Sequence, residues 1–486
     1  MPTTTPQNAP AITPSTGIKK ILRWPLRIIG GLLGLIILLL TIFVLLNLRD
    51  SQLTPVAQTL LKEPSYLVPD EQNGFFILRA MQADASLDAL TTGKNSVHAE
   101  ETSYRADPGH FDLGRVADTY KRAPSFVWDG HACSNTQQNC VAENLIQRAN
   151  RTEQINANAL LLQRYAQMQA LQGYEEHMIP IGAAVTPAYS YLTKASEMTI
   201  TMAEFEIADG HLQNGIAILQ KNDRYLRLLT EKSASLISKM VTLSMLRKQA
   251  RTISELVNKY PKLASDYGDS FSALVHPLTQ SELDFSRALM AEARFVNFFL
   301  TIDYAQTRAI QDPADSQIAF NVCEYLCKLF FQPNATVNDM AAYWQARIAT
   351  ANQPASHYTQ IRQTLIAQKS NQQAVFKYLR YAYNPVGKIL TDVAAQNPDT
   401  YLSYMEKSAD IDAYLRLVGL QIKLRQNKIA DNAIADYVAH AAEPLRSPYD
   451  GSAMIWNAKE KQLEFVGRQS ASGNFNPGKR FVIKMS

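Results

Sequence analysis

The chain reads as mainly α, with one N-terminal transmembrane helix, an irregular bundle of helical hairpins and a small C-terminal antiparallel β appendage. Three observations carry that expectation. An unbroken apolar run occupies Ile28 to Leu46. Between Val141 and Ala441 apolar residues recur at helical spacing, with hardly any of the strict alternation of strands. Past Arg446 the character changes to short β-favouring runs separated by turn residues.

The apolar run comes first because it decides where the rest sits. In Ile28–Leu46 only Gly30, Gly31, Gly34 and Thr41 are not large and apolar. As a helix the run spans about 28 Å, close to the hydrocarbon thickness of a bilayer. Lys19, Lys20, Arg23 and Arg27 precede it, and no acidic residue occurs before Asp50. Retention of positive charge on the cytoplasmic side places the N-terminus inside and the remaining chain outside. The run exceeds a signal-peptide core, and Asn47-Leu48-Arg49-Asp50-Ser51 follows it in place of a small-x-small cleavage site. Residues 28–48 therefore read as an uncleaved signal anchor. Residues 1–27 read as a disordered, basic cytoplasmic tail. Gly30 and Gly34 form a GxxxG pair, which a Gly- and Leu-rich span also produces by chance.

The chain has 48 Lys and Arg against 44 Asp and Glu. The four basic residues of the tail account for the whole excess, so the external part is neutral. Nucleic acid as a partner loses its electrostatic basis. All four cysteines, Cys133, Cys140, Cys323 and Cys327, lie beyond the anchor. An even count in an oxidising compartment suggests disulfides. Cys133 and Cys140 bracket a polar loop suited to a local bridge. Cys323 and Cys327 stand four apart, a poor geometry for S–S bonding on a helix, and their pairing stays open. The spacings do not fit a zinc site.

Residues 51–140 read as a membrane-proximal segment with short helices at Thr54–Leu61 and, after the turn Pro69-Asp70-Glu71-Gln72-Asn73-Gly74, at Phe75–Met81. Ala83–Asp129 has no sustained apolar period and is expected to be irregular. Residues 141–445 form the helical domain. Helices are expected from Leu145 to Leu171, Ala188 to Ala208 with Asp209-Gly210 as a stop, and from Leu212 through Leu246. Others follow at Gln280–Leu300, Gln317–Phe331, Asn338–Ala351, His357–Ser370, Thr400–Met405, Ile411–Gln426 and Ala433–Ala441. Asn384-Pro-Val-Gly-Lys388 reads as a turn opening a helix at Pro385. Small residues around Asp209-Gly210 have the spacing of a tetratricopeptide hairpin, but no second copy occurs at the period such arrays require. Residues 446–486 form the appendage, with strands at Ala453–Trp456, Gln462–Val466 and Arg480–Ile483.

These features, in this order, resemble an uncharacterised family of bacterial membrane-anchored envelope proteins. The motifs are Pro69-Asp70-Glu71-Gln72-Asn73-Gly74, the spaced Cys133 and Cys140, the Asp209-Gly210 hairpin leading to Leu236-Ile237-Ser238-Lys239-Met240, Tyr383-Asn384-Pro385-Val386-Gly387, and Pro448-Tyr449-Asp450-Gly451 to Trp456. The resemblance implies a Gram-negative inner membrane and a periplasmic domain, and it brings no activity.

Motifs for chemistry are sparse. HExxH, Gly-x-Ser-x-Gly and a phosphate loop are absent. His98 and Glu101 lie near Asp107, His110 and Asp112 in the segment expected to be irregular, without fixed ligand spacing, so a solvated loop is the reading and no metal is assigned. Among the carboxylates, Asp410 and Asp412 fall near an expected helix start, where they complement the helix dipole. Glu100-Glu101 and Glu175-Glu176 are adjacent pairs that cannot face one cleft together, and Glu204 and Glu206 flank an apolar face. Tyr378, Tyr381 and Tyr383 could line a groove, although half-buried tyrosines at helical spacing are commoner. No catalytic residue and no cofactor is assigned. The expected role is non-catalytic: the chain contacts the bilayer through Ile28–Leu46 and holds an envelope protein partner. The alternative is a peptidoglycan hydrolase with a dispersed carboxylate site.

Overall fold

The computed structural model describes residues 17–108, 120–130, 139–180, 186–300, 329–374, 379–395, 400–468 and 480–485. It is a helical protein with a long apolar N-terminal helix and a three-stranded antiparallel sheet near the C-terminus. Helix α1, Gly17–Leu46, contains a segment, Arg27–Leu46, that is long and apolar enough to cross a membrane. It begins ahead of the apolar run, so 17–27 are helical where a disordered tail was expected. A helix already nucleated propagates cheaply into adjoining residues.

The first helices of the domain are short: α2 Pro55–Leu61, capped by the Thr54 side chain, and α3 Gly74–Arg79, capped by Asn73. Helix α4, Ala89–Ala106, lies within the stretch expected to be irregular. Its buried stripe is Ala89, Gly93, Val97 and Glu100, at helical spacing but nearly free of large apolar side chains. Gly93 is the decisive position. A Cβ there would sit 1.7 Å from the Phe76 carbonyl oxygen, so the backbone of α4 lies directly on α3. Asp88 caps the helix through Thr91 N at 2.8 Å, and Glu100 meets Arg79 of α3 at 2.7 Å in the interior.

The single helix expected between Leu145 and Leu171 is three: α5 Cys140–Ile146, α6 Arg148–Ala157 and α7 Ala159–Ala170. Helices α8, Tyr189–Ala208, and α9, Leu212–Lys232, form the hairpin around Asp209-Gly210, with Gly210 in the left-handed region at φ +85. Helix α10, Leu236–Lys259, opens with a reciprocal Ser235–Ser238 capping box. Helix α11 is Lys262–Leu274. The helix expected over Gln280–Leu300 is broken at Asp284 into α12, Gln280–Leu283, and α13, Ser286–Phe298. Helix α14 is Pro333–Ile348, α15 is Tyr358–Ala374 and α16 is Pro385–Ala394.

Thr400–Gln426 is one continuous helix, α17, where two were expected. It is almost wholly buried between α10, α11 and the sheet, so tertiary contact sustains it through the polar stretch Ser408–Asp412. Helix α18 is Ile434–Ala439. Strands β1 Ile455–Asn457, β2 Gln462–Val466 and β3 Arg480–Lys484 pair in the order β1-β2-β3. Leu463 and Phe465 of β2, with Phe481 and Ile483 of β3, turn inward, and the sheet lies on α17.

Candidate functional site

Helix α4 places His98 and Glu101 three residues apart, hence on one face. His177 reaches them from the connection after α7. That connection is laced to the segment before α3: Gly74 N donates to Gly173 O at 3.0 Å and Gly173 N to Gln72 O at 3.2 Å. Asn73 bonds both the N–H and the carbonyl of Glu175. The two adjacent glutamates then part. Glu175 accepts from Leu67 N and Val68 N at 2.7 and 2.9 Å. Glu176 turns inward to Tyr174 Oη, Ala234 N and Ser238 Oγ, and burial pushes its carboxyl up to about 7.

His177, 6% exposed, stacks on Tyr66 with ring centres 3.6 Å apart and packs on Phe76. Its Nδ1 lies 3.1 Å from Glu101 Oε1, while its Nε2 is buried without a hydrogen-bond partner. His98 is half-exposed, with Nε2 3.4 Å from Asp70 Oδ2. One ligand-type atom from each of His98, Glu101 and His177 falls within 4.8 Å of the others. Burial opposes ionisation of Glu101, but the His177 bond and charge, then Arg105 and His98, outweigh it and hold the carboxyl below its ordinary value.

Tyr66 and Glu101 also line a cavity of about 290 Å³. Met178, Phe298 and Val337 supply much of its apolar wall, Arg105 and Arg294 supply cations, and Glu63 and Glu101 stand 3.5 and 3.8 Å from Arg105. Arg294 is the unusual member. Its Nε is buried without a partner, it makes no ion pair among the described residues, and burial lowers its guanidinium pKa. A half-buried cation that finds no counter-charge among the described residues is costly unless something anionic meets it.

The cavity shares a wall with the joint between the domain and α1. Pro333 and Asn334, which open α14, line the cavity. Asp50, just past the end of α1, accepts from Asn334 N and Ala335 N at 2.7 and 3.0 Å, a carboxylate at a helix N-terminus. Asn47, 1% exposed, takes a bond from Asn384 N at 2.8 Å and donates to Ala382 O at 2.8 Å. Gln332 closes the network through Asn47 O and Asn384 Oδ1. Asn384, left-handed at φ 52, caps α16 as the Asn384-Pro385 turn predicted. Helix α16 packs Leu390 against the core yet leaves two other apolar residues outside. It buries Gly387 and Thr391 and exposes Ile389 (55%) and Val393 (58%).

The other sequence candidates are placed elsewhere. Asp410 and Asp412 are buried in mid-α17, not at a helix start. Asp412 accepts from Leu278 N and Arg416 Nε; Asp410 accepts from Tyr449 Oη and Arg468 N. Glu204 is fully buried against Asn144, whereas Glu206 is at the surface beside His211. Tyr381 donates to Asp392 and Tyr383 to Arg49 O. Asp107 ends α4. His110, Asp112, Tyr378, Cys133, Cys323 and Cys327 lie outside the described residues, while Cys140 is buried with Sγ 3.0 Å from Glu255 Oε2. His177 and Arg294 escaped sequence reasoning. His98-x-x-Glu101 was the one available signal, and it becomes informative only on a helix. No known protein family, curated protein or solved structure matches the chain.

Proposed function

We propose that the protein is a single-pass, N-in membrane protein whose external helical domain binds an anionic amphiphile at the membrane surface. The observation that carries this reading is Arg294, a cation with no ion pair among the described residues, in a largely apolar cavity beside the point where α1 joins the domain. The apolar wall suits an acyl chain, and Arg294 suits a carboxylate or phosphate head. The outward Ile389 and Val393 of α16 lie close to the end of α1 through the Asn47–Asn384 bond, where an interfacial helix would meet lipid. The basic flank of Arg27 and the residues before it supports the orientation.

The test uses the full chain in nanodiscs containing a photoactivatable fatty acid or a photoactivatable anionic phospholipid. Labelled peptides are expected to contain residues 101–105 or 294–298, with labelling reduced about tenfold by Arg294→Glu. Labelling confined to 28–46, or unchanged by the charge reversal, overturns the cavity as the site. Comparison of the two probes distinguishes a free acid from a headgroup. Alkaline phosphatase fused after Asp50 is expected to be active in bacterial cells, and an inactive fusion with a fluorescent cytoplasmic reporter overturns the orientation.

A further inference from the structure

We propose that His98, Glu101 and His177 bind one divalent transition-metal ion. The residue set, two imidazoles and one carboxylate, is a ligand set suited to zinc or ferrous iron when further coordination positions stay open. The spacing fits. Ligands at about 2.0–2.2 Å from one ion stand roughly 3–3.5 Å apart, and the His177 Nδ1–Glu101 Oε1 separation is already 3.1 Å. His98 is the outer member, within 4.8 Å of both. It is half-exposed, so rotation of its side chain closes the remaining gap without disturbing a packed core.

Two details favour an ion over a plain hydrogen-bonded pair. First, Asp70 stands 3.4 Å from His98 Nε2. A carboxylate on the far nitrogen of a ligating imidazole fixes its tautomer and raises its basicity, leaving Nδ1 for the ion. Second, His177 is held rigidly by Tyr66, Phe75 and Phe76, so its Nδ1 is presented beside Glu101 in a fixed orientation that an ion would not have to impose. Arg105 competes little, since its closest approach is 3.8 Å and goes to the other carboxylate oxygen, Oε2.

Glu101 also lines the cavity, so an ion held here would border that space. Ion binding stands or falls independently of amphiphile uptake, because it requires neither Arg294 nor the apolar wall.

The experiment titrates tag-free, full-length protein in detergent with Co2+, whose visible d–d bands report nitrogen and oxygen coordination, and then with Zn2+. One equivalent is expected to bind, with the bands displaced by Zn2+. Glu101→Gln and His98→Ala are each expected to weaken binding at least tenfold, and Asp70→Asn to weaken it about tenfold. Circular dichroism of each variant checks that the fold persists, and His98→Ala, at a half-exposed position, retains it. Absence of saturable binding to the wild type overturns the proposal. So does equal binding by a His98→Ala/Glu101→Gln double variant, or a strong near-ultraviolet sulfur band that assigns the ion to the cysteines.

Discussion

The layer where α17 lies against α10, α11 and the sheet and the end of the domain joined to α1 differ in how they treat buried carboxylates and apolar surface. In the first, the carboxylates buried in mid-α17 are matched. Asp410 accepts from Tyr449 Oη and the Arg468 amide; Asp412 has Arg416 and the Leu278 amide. In the second, Arg294 and His177 each keep a buried nitrogen without a partner, and Ile389 and Val393 face outward. Matched charge in a dense core serves the fold. Unmatched charge beside a cavity costs stability, and it persists where a ligand supplies what the chain does not.

The contrast predicts where substitutions unfold the protein and where they spare it. The largest effect is expected from Asp412→Ala. It strips Arg416 and the Leu278 amide of their buried acceptor and should cost about 3–5 kcal/mol in chemical denaturation. A loss below about 1 kcal/mol would show that the α17 layer tolerates unmatched charge as readily as the α1 end does.

An intermediate effect is expected from pH. Burial pushes the Glu204 carboxyl up to about 8 from an ordinary 4.5. The folded state therefore holds this proton more tightly than the unfolded state, and the contribution is fully present below the unfolded value. It is lost as pH rises from about 4.5 through about 8. Denaturation midpoints should fall across that window, and Glu204→Gln should flatten the fall, leaving a smaller slope from Glu176, whose carboxyl sits at about 7, and Asp223, which burial raises to about 6. A parallel slope in wild type and variant would mean Glu204 titrates normally.

The smallest effect on stability is expected at α16. Ile389→Asp with Val393→Asp replaces side chains more than half exposed and should change stability by no more than about 0.5 kcal/mol. A photo-crosslinking side chain at 389 in the anchored protein should nevertheless capture phospholipid, while one at Lys459, exposed in the β1–β2 turn, should not. Capture of a protein at 389 instead would assign this face to a partner chain and sharpen the contrast differently.

Much of the architecture was legible from residue pattern alone. Ile28–Leu46, the Asp209-Gly210 hairpin, the helix opening at Pro385 and the three C-terminal strands each carry a local signal: an apolar run, a left-handed glycine, a proline at a helix start, alternation between turns. Those signals act within a few residues, so a sequence displays them directly. Helix α4 lacked such a signal because its buried stripe is built from Ala89, Gly93 and Val97. Only the close approach of Phe76, which no side chain at 93 would permit, turns that weak pattern into a packed face. The continuity of α17 through Ser408–Asp412 likewise depends on distant partners, Tyr449 and the Leu278 amide among them. The site follows the same rule. His98 and Glu101 are neighbours by helical periodicity, but His177 arrives from beyond α7, and the cavity brings α4, α13 and α14 together from widely separated stretches. Which groups meet there, and which are left without a partner, is a property of packing in three dimensions, because charge, burial and coordination depend on distance in space and not along the chain.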